Sequence, residues 1–360
     1  MWPFAEGIRA GVGSVMMAYN AVNGSACSQN AYLINKLLKD ELGLQGFVMT
    51  DWLAHMSGVG SALAGLDMNM PGDTQVPLVG ASYWMPELTR AVLNGTVPVA
   101  RLNDMATRVL AARLQMGQHR PDFPATNFDT NTGRDVGLLY PGAFPDSPSG
   151  VVNLRVAAQG DHDGVARAVA RDAVTLLKND GGLLPLRAGR GLHVFGTDAR
   201  ADPRGPNACR DRNCNRGTLG QGWGSATVDY PYLDDPIGAL RARLGPAVRF
   251  FDTDAYPGGG GAGPGSDDDV AVVFVSADAG ENTYIVEGNH GDRDGSGLAL
   301  WHGGDRLVQD VAARYRSVVV VVHTVGPVLV EAWIDLPAVK AVLVAHLPGQ
   351  EAGRTTCRPA

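Results

Sequence analysis

The stretch QGFVMTDWLAHMSGVGSALAGLDMNMPGD, from Gln45 to Asp73, decides how the rest of the chain is read. Gly46 breaks the preceding helical pattern, and Phe47-Val48-Met49-Thr50 has strand character. The run ends on a carboxylate, Asp51, followed by a large aromatic, Trp52. Side chains at the carboxyl ends of parallel barrel strands form an active-site face, so Asp51 is a catalytic candidate. An Asp that merely caps the next turn is the competing reading of the same residue.

The wider stretch resembles the nucleophile region of the family 3 glycoside hydrolases, in particular the fungal-type β-glucosidases. The matching residues are Gly46-Phe47-Val48, Thr50-Asp51-Trp52 and Ala64-Gly65-Leu66-Asp67-Met68-Asn69-Met70-Pro71-Gly72, two blocks in order and at the family's spacing. The resemblance implies that Asp51 is the nucleophile of a retaining glycosidase, which attacks the anomeric carbon while a second carboxyl protonates the departing oxygen. The upstream segment Gly13-Ser14-Val15-Met16-Met17-Ala18-Tyr19-Asn20 is strand-like and resembles a family segment whose tyrosine lies beside the nucleophile. Tyr19 inherits that role, with Met16 and Trp52 as walls of the sugar subsite; a half-buried core tyrosine is the alternative.

The second carboxylate is sought after the apolar strand Val270 to Val275. There Ser276-Ala277-Asp278-Ala279-Gly280-Glu281-Asn282-Thr283-Tyr284 resembles the family's acid/base loop, with Glu281 on the glutamate and one extra residue before the tyrosine. Glu287 is the backup. A general acid needs a raised pKa, which burial under a domain closing over the barrel mouth would supply. Gly222-Trp223-Gly224-Ser225 resembles a loop near the subsite for the leaving group, so Trp223 and Ser225 are binding candidates, a core role for Trp223 being equally open.

With 360 residues the prior is two domains. Residues 1–117 read as the later part of a (β/α)8 TIM barrel, 118–161 as a linker without periodicity, and 162–360 as an incomplete α/β sandwich with a mostly parallel sheet. In the barrel part, Leu33, Ile34, Leu37, Leu38 and Leu42 recur at helical spacing after Asn30 as N-cap; Leu102, Met105, Ala106, Val109 and Leu110 form a second stripe. In the sandwich part, Val165, Val169, Ala173 and Leu176 read as one helical stripe and Pro257 to Asp269 as a flexible insert. Strands are expected at Leu192–Phe195, Val248–Phe251, Val270–Val275, Val318–Val322 and Ala341–Ala345, with a helix carrying Leu307, Val308, Val311 and Tyr315 between two of them. A complete barrel needs about 250 residues, and the resemblance implies that its amino-terminal part, including a Lys-His pair of the family, is missing. A fragment of this kind is expected to be inactive by itself.

Composition excludes several classes. A formal charge of −7 gives no basis for binding nucleic acid or an anionic membrane, and no apolar run is long enough to span a bilayer. Met1-Trp2-Pro3-Phe4 does not read as a signal peptide. No metal or organic cofactor is expected. His162 with its flanking aspartates reads as solvated charge at a helix start, and Asp292 with Asp294 as turn chemistry rather than a calcium loop. Cys209 and Cys214 lie in one turn-rich loop that admits a local disulfide; Cys27 has no obvious mate, and the resemblance implies that its partner lies in the missing region. Asn23 and Asn94 begin glycosylation sequons, which lean towards an extracellular setting. The expected substrate is a small β-glucoside or oligosaccharide, with a β-xyloside hydrolase or a non-catalytic carbohydrate-binding remnant as alternatives.

Overall fold

Strands β1 (Ser14–Met17) and β4 (Phe47–Thr50) pair in parallel in the computed structural model, with Val15 opposite Val48 and Met16 opposite Met49. The described residues are all except 73–81, 124–134, 140–145, 154–159, 187–188, 210–215, 226, 259–260, 282–284, 287–288, 291–296 and 357–360. The chain divides into two compact units, Met1–Val156 and Ala157–Ala360.

In the first unit, α1 (Trp2–Arg9) precedes β1, and a tight hairpin follows it, β2 (Ala21–Val22) to β3 (Ser25–Ala26). Asn23 and Gly24 turn that hairpin at φ of 51° and 76°, the left-handed conformations a two-residue turn requires. The expected helix is present as a wide π-type helix, Tyr32–Glu41. Asn30 caps it, its Oδ1 accepting the Leu33 N–H at 3.0 Å. Ile34 and Leu38 are buried against Val15, Met17 and Val48. After β4 come α2 (Val59–Leu63), α3 (Met85–Leu93) and α4 (Val99–Gln115). The stripe expected on α4 is only partly covered: Met105 is buried, whereas Leu102, Ala106 and Leu110 are exposed. The packed side of α4 is set instead by Arg101 and Arg108, whose guanidinium groups bind the carbonyls of Ala62, Leu66, Leu44 and Gly46. Periodicity in apolar residues alone cannot register that contribution.

Residues 118–161, read as a structureless linker, carry a short antiparallel ladder of β5 (Val136–Leu138) and β6 (Ser149–Val151). Three-residue strands are too short to leave an alternating pattern.

The second unit is built on a six-stranded sheet. Helix α5 (His162–Ala173) leads into β7 (Thr175–Asn179), followed by β8 (Leu192–Phe195), α6 (Pro236–Leu244), β9 (Val248–Phe251) and β10 (Val270–Ala277). A small antiparallel pair, β11 (Ile285–Val286) and β12 (Asn289–His290), precedes α7 (Gly304–Ala312), β13 (Ser317–Thr324), β14 (Val339–His346) and α8 (Ala352–Thr356). The order is β7-β14-β13-β10-β8-β9, parallel throughout except for β7 at the edge. All eight residues of β10 are buried. Ala271, Val273 and Val275 pack with Leu307, Val308 and Val311 of α7, while Val270, Val272 and Phe274 face Ile237 and Leu240 of α6. A parallel sheet covered on both faces explains why its strands read as continuous apolar runs.

Two readings of this unit need correction. The stripe Val165, Val169, Ala173, Leu176 is not one helical face: α5 stops at Ala173, Leu176 lies in β7, and Val165 and Val169 are exposed. β-Branched Val174 and Thr175 favour the extended chain at that point. The insert Pro257 to Asp269, read as flexible, is tied into the unit by hydrogen bonds among its described residues. Asp269 accepts the Gly265 and Ser266 N–H groups, and Tyr315 Oη donates to the carbonyl of buried Ala262 at 2.6 Å.

Candidate active site

The alternation along β1 and β4 sorts their side chains. Val15, Met17, Val48 and Thr50 are buried on the helical side, whereas Met16 and Met49, opposite one another, point away from it. Asp51 continues the Met49 register past the end of β4, so it belongs to the same face as Met16 and Met49. Its backbone N–H still bonds to the Met17 carbonyl at 2.9 Å, which fixes it at the strand end. Tyr19 Oη donates to Asp51 Oδ1 at 3.2 Å, and the Trp52 N–H reaches the same oxygen at 2.6 Å. Three of the residues singled out in the sequence therefore meet in one cluster. Met16, Tyr19 and Trp52 are 54%, 56% and 56% exposed, so the cluster lies on an open face.

The second motif block holds this strand in place. The Met70 N–H donates to Thr50 Oγ1 at 2.8 Å, the Leu53 N–H to the Met70 carbonyl, and Met68 bridges to Met49 in parallel. Asp67, read only as part of the motif, is a structural carboxylate. Its side chain is fully buried and accepts from the Val48 N–H, Lys39 Nζ and Arg101 Nη2 at 2.8, 2.9 and 2.7 Å. Burial pushes the Lys39 ammonium below its ordinary pKa, with the Asp67 carboxylate opposing that shift. Gly65 in the same block sits at φ 105°, and a Cβ there would meet Asn35 Oδ1 at 2.2 Å and Ile34 at 2.8 Å. The block is thus explained by packing and backbone geometry.

In the second unit, Glu281 follows β10 in a loop clasped to Gly222-Trp223-Gly224-Ser225. Trp223 is buried, its Nε1 donates to the Glu281 carbonyl at 2.8 Å, and the Glu281 N–H returns to the Trp223 carbonyl at 3.3 Å. The Ser225 N–H and Oγ both donate to Glu281 Oε2, at 2.7 and 2.6 Å. The clasp requires glycine: a Cβ on Gly280 would lie 2.3 Å from the Trp223 carbonyl oxygen. Glu281 itself is exposed. The two Ser225 donors, the hydroxyl first, hold its carboxyl below the usual range, the opposite of the raised pKa expected of a general acid. The physical reason is that donors to the anion favour it, and the desolvation of this exposed group is too small to outweigh them.

The remaining candidates are quickly placed. Glu287, Cys214, Asp292 and Asp294 lie outside the described residues. Cys209 is disulfide-bonded and Cys27 is a buried free thiol. Asn23 and Asn94 are both exposed. Among the described residues no group of three or more His, Cys, Asp or Glu is arranged to hold a metal ion, and no helix is long and apolar enough to cross a membrane.

Asp51 thus stands at the end of a parallel strand in the first unit, and Glu281 in a loop that follows β10 in the second. The chain belongs to glycosyl hydrolase family 3: residues 1–112 match the family's N terminal domain and residues 174–358 its C-terminal domain. It is 62% identical over 353 residues to the probable beta-glucosidase F of Emericella nidulans, covering 98% of this chain and 40% of that protein. It is 49% identical to the probable beta-glucosidase E of the same organism, over 98% of this chain and 36% of that one. Among solved structures, a family 3 β-glucosidase from Neurospora crassa superimposes with a TM-score of 0.88 at 45% identity, over 99% of this chain and 42% of its own. The β-D-glucoside glucohydrolase of Trichoderma reesei gives 0.83 at 40% identity, over 99% and 46%. The chain thus spans about 40% of the length of the probable beta-glucosidase F it matches.

Proposed function

We propose that this chain carries the two catalytic carboxylates of a retaining, exo-acting β-glucosidase, with Asp51 as nucleophile and Glu281 as acid/base. The observation that carries the reading is Asp51 itself, fixed at the end of β4 on the open face of the strand pair and hydrogen-bonded by Tyr19. An ionised carboxylate there attacks the anomeric carbon and forms the glycosyl-enzyme as the glycosidic bond breaks. Glu281 gives its proton to the departing oxygen and then takes one from the water that releases the sugar. The Ser225 bonds suit the second of these steps, since they favour the carboxylate. Met16, Tyr19 and Trp52 would line the glucose subsite, and Trp223 and Ser225 the leaving-group side. The names of the relatives support a terminal β-D-glucosyl substrate, and the exposed Asn23 and Asn94 sequons accord with secretion. No metal or nucleic acid enters this reading.

We also propose that residues 1–360 alone do not turn over substrate, because the described strands on the Asp51 side form only a two-stranded parallel pair. A nucleophile without groups gripping the sugar loses positioning that can be worth about 7–11 kcal/mol of barrier. The test is aryl β-glucoside hydrolysis by the 360-residue chain and by an extended chain that supplies a complete barrel. The extended chain should be active, lose turnover on Asp51→Asn, and be labelled at Asp51 by a fluoro-sugar inactivator. In it, Glu281→Ala should spare good leaving groups more than poor ones. Label on another carboxylate would refute the nucleophile assignment.

A further inference from the structure

Asp198 and His323 stand 125 positions apart in sequence, yet their side chains meet inside the second unit, 3% and 0% exposed. Neither is used in the chemistry proposed above. His323 lies on β13, opposite Ser276 of β10. Asp198 lies in the one-turn 3₁₀ segment Thr197–Ala199 just past β8. Gly196, at φ 103°, permits that turn: a Cβ there would fall 2.0 Å from the Phe274 carbonyl oxygen. All these groups come from the carboxyl ends of adjacent parallel strands, the edge at which open α/β sheets place ligands.

The connections run in one direction. His323 Nδ1 lies 2.6 Å from Asp198 Oδ2; a carboxylate only accepts, so Nδ1 carries the proton and donates. Asp198 Oδ1 accepts the Leu219 N–H at 2.8 Å, and its backbone carbonyl accepts Thr218 Oγ1 at 2.8 Å. The Thr218 N–H binds the Arg200 carbonyl at 2.7 Å. Thr218 and Leu219 begin the segment that, four to seven residues later, supplies Trp223 and Ser225 to the backbone and carboxylate of Glu281. A buried carboxylate–imidazole pair is weak evidence for stability, because apolar residues of the same volume commonly serve as well. What an apolar pair cannot do is accept the Leu219 N–H, the one backbone bond of this segment that depends on the Asp198 carboxylate.

We infer that Asp198 and His323 are positioning residues that brace the Gly217–Ser225 loop so that Ser225 and Trp223 hold Glu281 in one orientation. The brace as such rests on geometry; its importance to catalysis rests on the acid/base reading of Glu281. The two can fail separately.

The test reads Glu281 directly, by ¹³C-carboxyl NMR titration of the 360-residue chain. Ser225→Ala removes one donor outright and sets the reference, an upward move of the Glu281 midpoint. His323→Phe and Asp198→Ala should move it in the same direction by most of that amount, with the near-ultraviolet circular dichroism retained. His323→Asn, which keeps an N–H donor at the Nδ1 position, should restore the wild-type midpoint; a merely space-filling role would favour Phe instead. An unmoved Glu281 in folded His323→Phe and Asp198→Ala chains would overturn the inference. Should those two variants unfold, Asp198→Asn decides, since it keeps the volume but puts an NH2 group, which cannot accept, in place of one of the two oxygens that face the Leu219 N–H and His323 Nδ1: a shifted midpoint supports the brace and an unshifted one refutes it. In an extended, active chain, His323→Phe should lower kcat for poor leaving groups severalfold, with KM and good leaving groups little changed. A shifted Glu281 midpoint with no leaving-group dependence would sink the acid/base reading and leave the brace standing.

Discussion

The two parallel strand sets in this molecule are built differently. β10 and β13 run eight residues each and bury nearly every side chain, with helices on both faces. β1 and β4 run four residues each and bury alternate side chains, leaving Met16, Met49 and Asp51 on the other face. The first arrangement draws its stability from non-directional apolar burial, about 25 cal/mol for each Å² removed from water. The second relies on directed polar contacts at its rim, above all the Asp67 carboxylate that joins β4 to Lys39 and Arg101. The lesson is that the strand pair bearing Asp51 is tied by a few directed polar anchors as well as by its apolar core. The sheet of the second unit is held by many interchangeable apolar ones.

Substitution puts that contrast at greatest risk. Asp67→Ala strands two largely buried cations and a buried strand N–H, and should cost the first unit about 3–5 kcal/mol. Val320→Ala removes two methyl groups from the centre of the sheet and should cost the second unit about 2 kcal/mol. Urea unfolding followed by residue-resolved amide exchange separates the two units. A larger loss from Val320→Ala would break the comparison.

Amide exchange in the unsubstituted chain gives the next largest effect. The β10 and β13 amides should outlast those of β1 and β4 by roughly tenfold or more, about 1.4 kcal/mol of opening free energy. Equal protection would mean that the open strand pair is held as firmly as the covered sheet.

Acidification gives the most specific effect. His55 is 1% exposed, packed edge-on against Tyr83 and Trp84, and burial lowers its pKa from 6.5 to about 4. The unfolded chain therefore binds more protons than the folded one between those values. The His55 contribution is fully present above pH 6.5 and declines as pH falls towards 4. An NMR titration should place the His55 midpoint near 4, with β1 and β4 losing exchange protection through the same window. A midpoint near 6.5 would show the ring to be solvated and remove histidine from the anchors of that unit.

Much of the fold was legible in particular residues. Continuous apolar runs such as Val270–Val275 and Val318–Val322 fall inside β10 and β13, because a strand buried on both faces has no polar side to betray its period. The Thr-Asp-Trp end of β4 and the Ala-Gly-Leu-Asp-Met block located Asp51 and its support, since both are local in sequence. Where side chains work against their apparent class, the pattern misled. Arg101 and Arg108 set the packed side of α4 through hydrogen bonds that a hydrophobic stripe cannot encode. Val165 and Val169 form a stripe that nothing among the described residues covers.

By itself, then, the sequence determined what is local: strand and helix identity, the register of the Asp51 block, the glycine positions, and the family to which those motifs belong. Only the tertiary structure decided what each polar group does. Asp67 and Glu281 are both acidic residues in recognised motifs, yet one is a buried tie between two cations and a strand, and the other an exposed carboxylate gripped by Ser225. Asp198 and His323 carry no signal in their spacing at all; the register of β13 beside β10, and of β10 beside β8, brings them together. The reason is physical. Backbone conformation follows from neighbours in the chain, but a side chain's charge, hydration and hydrogen bonds depend on groups that folding alone brings within about 3 Å.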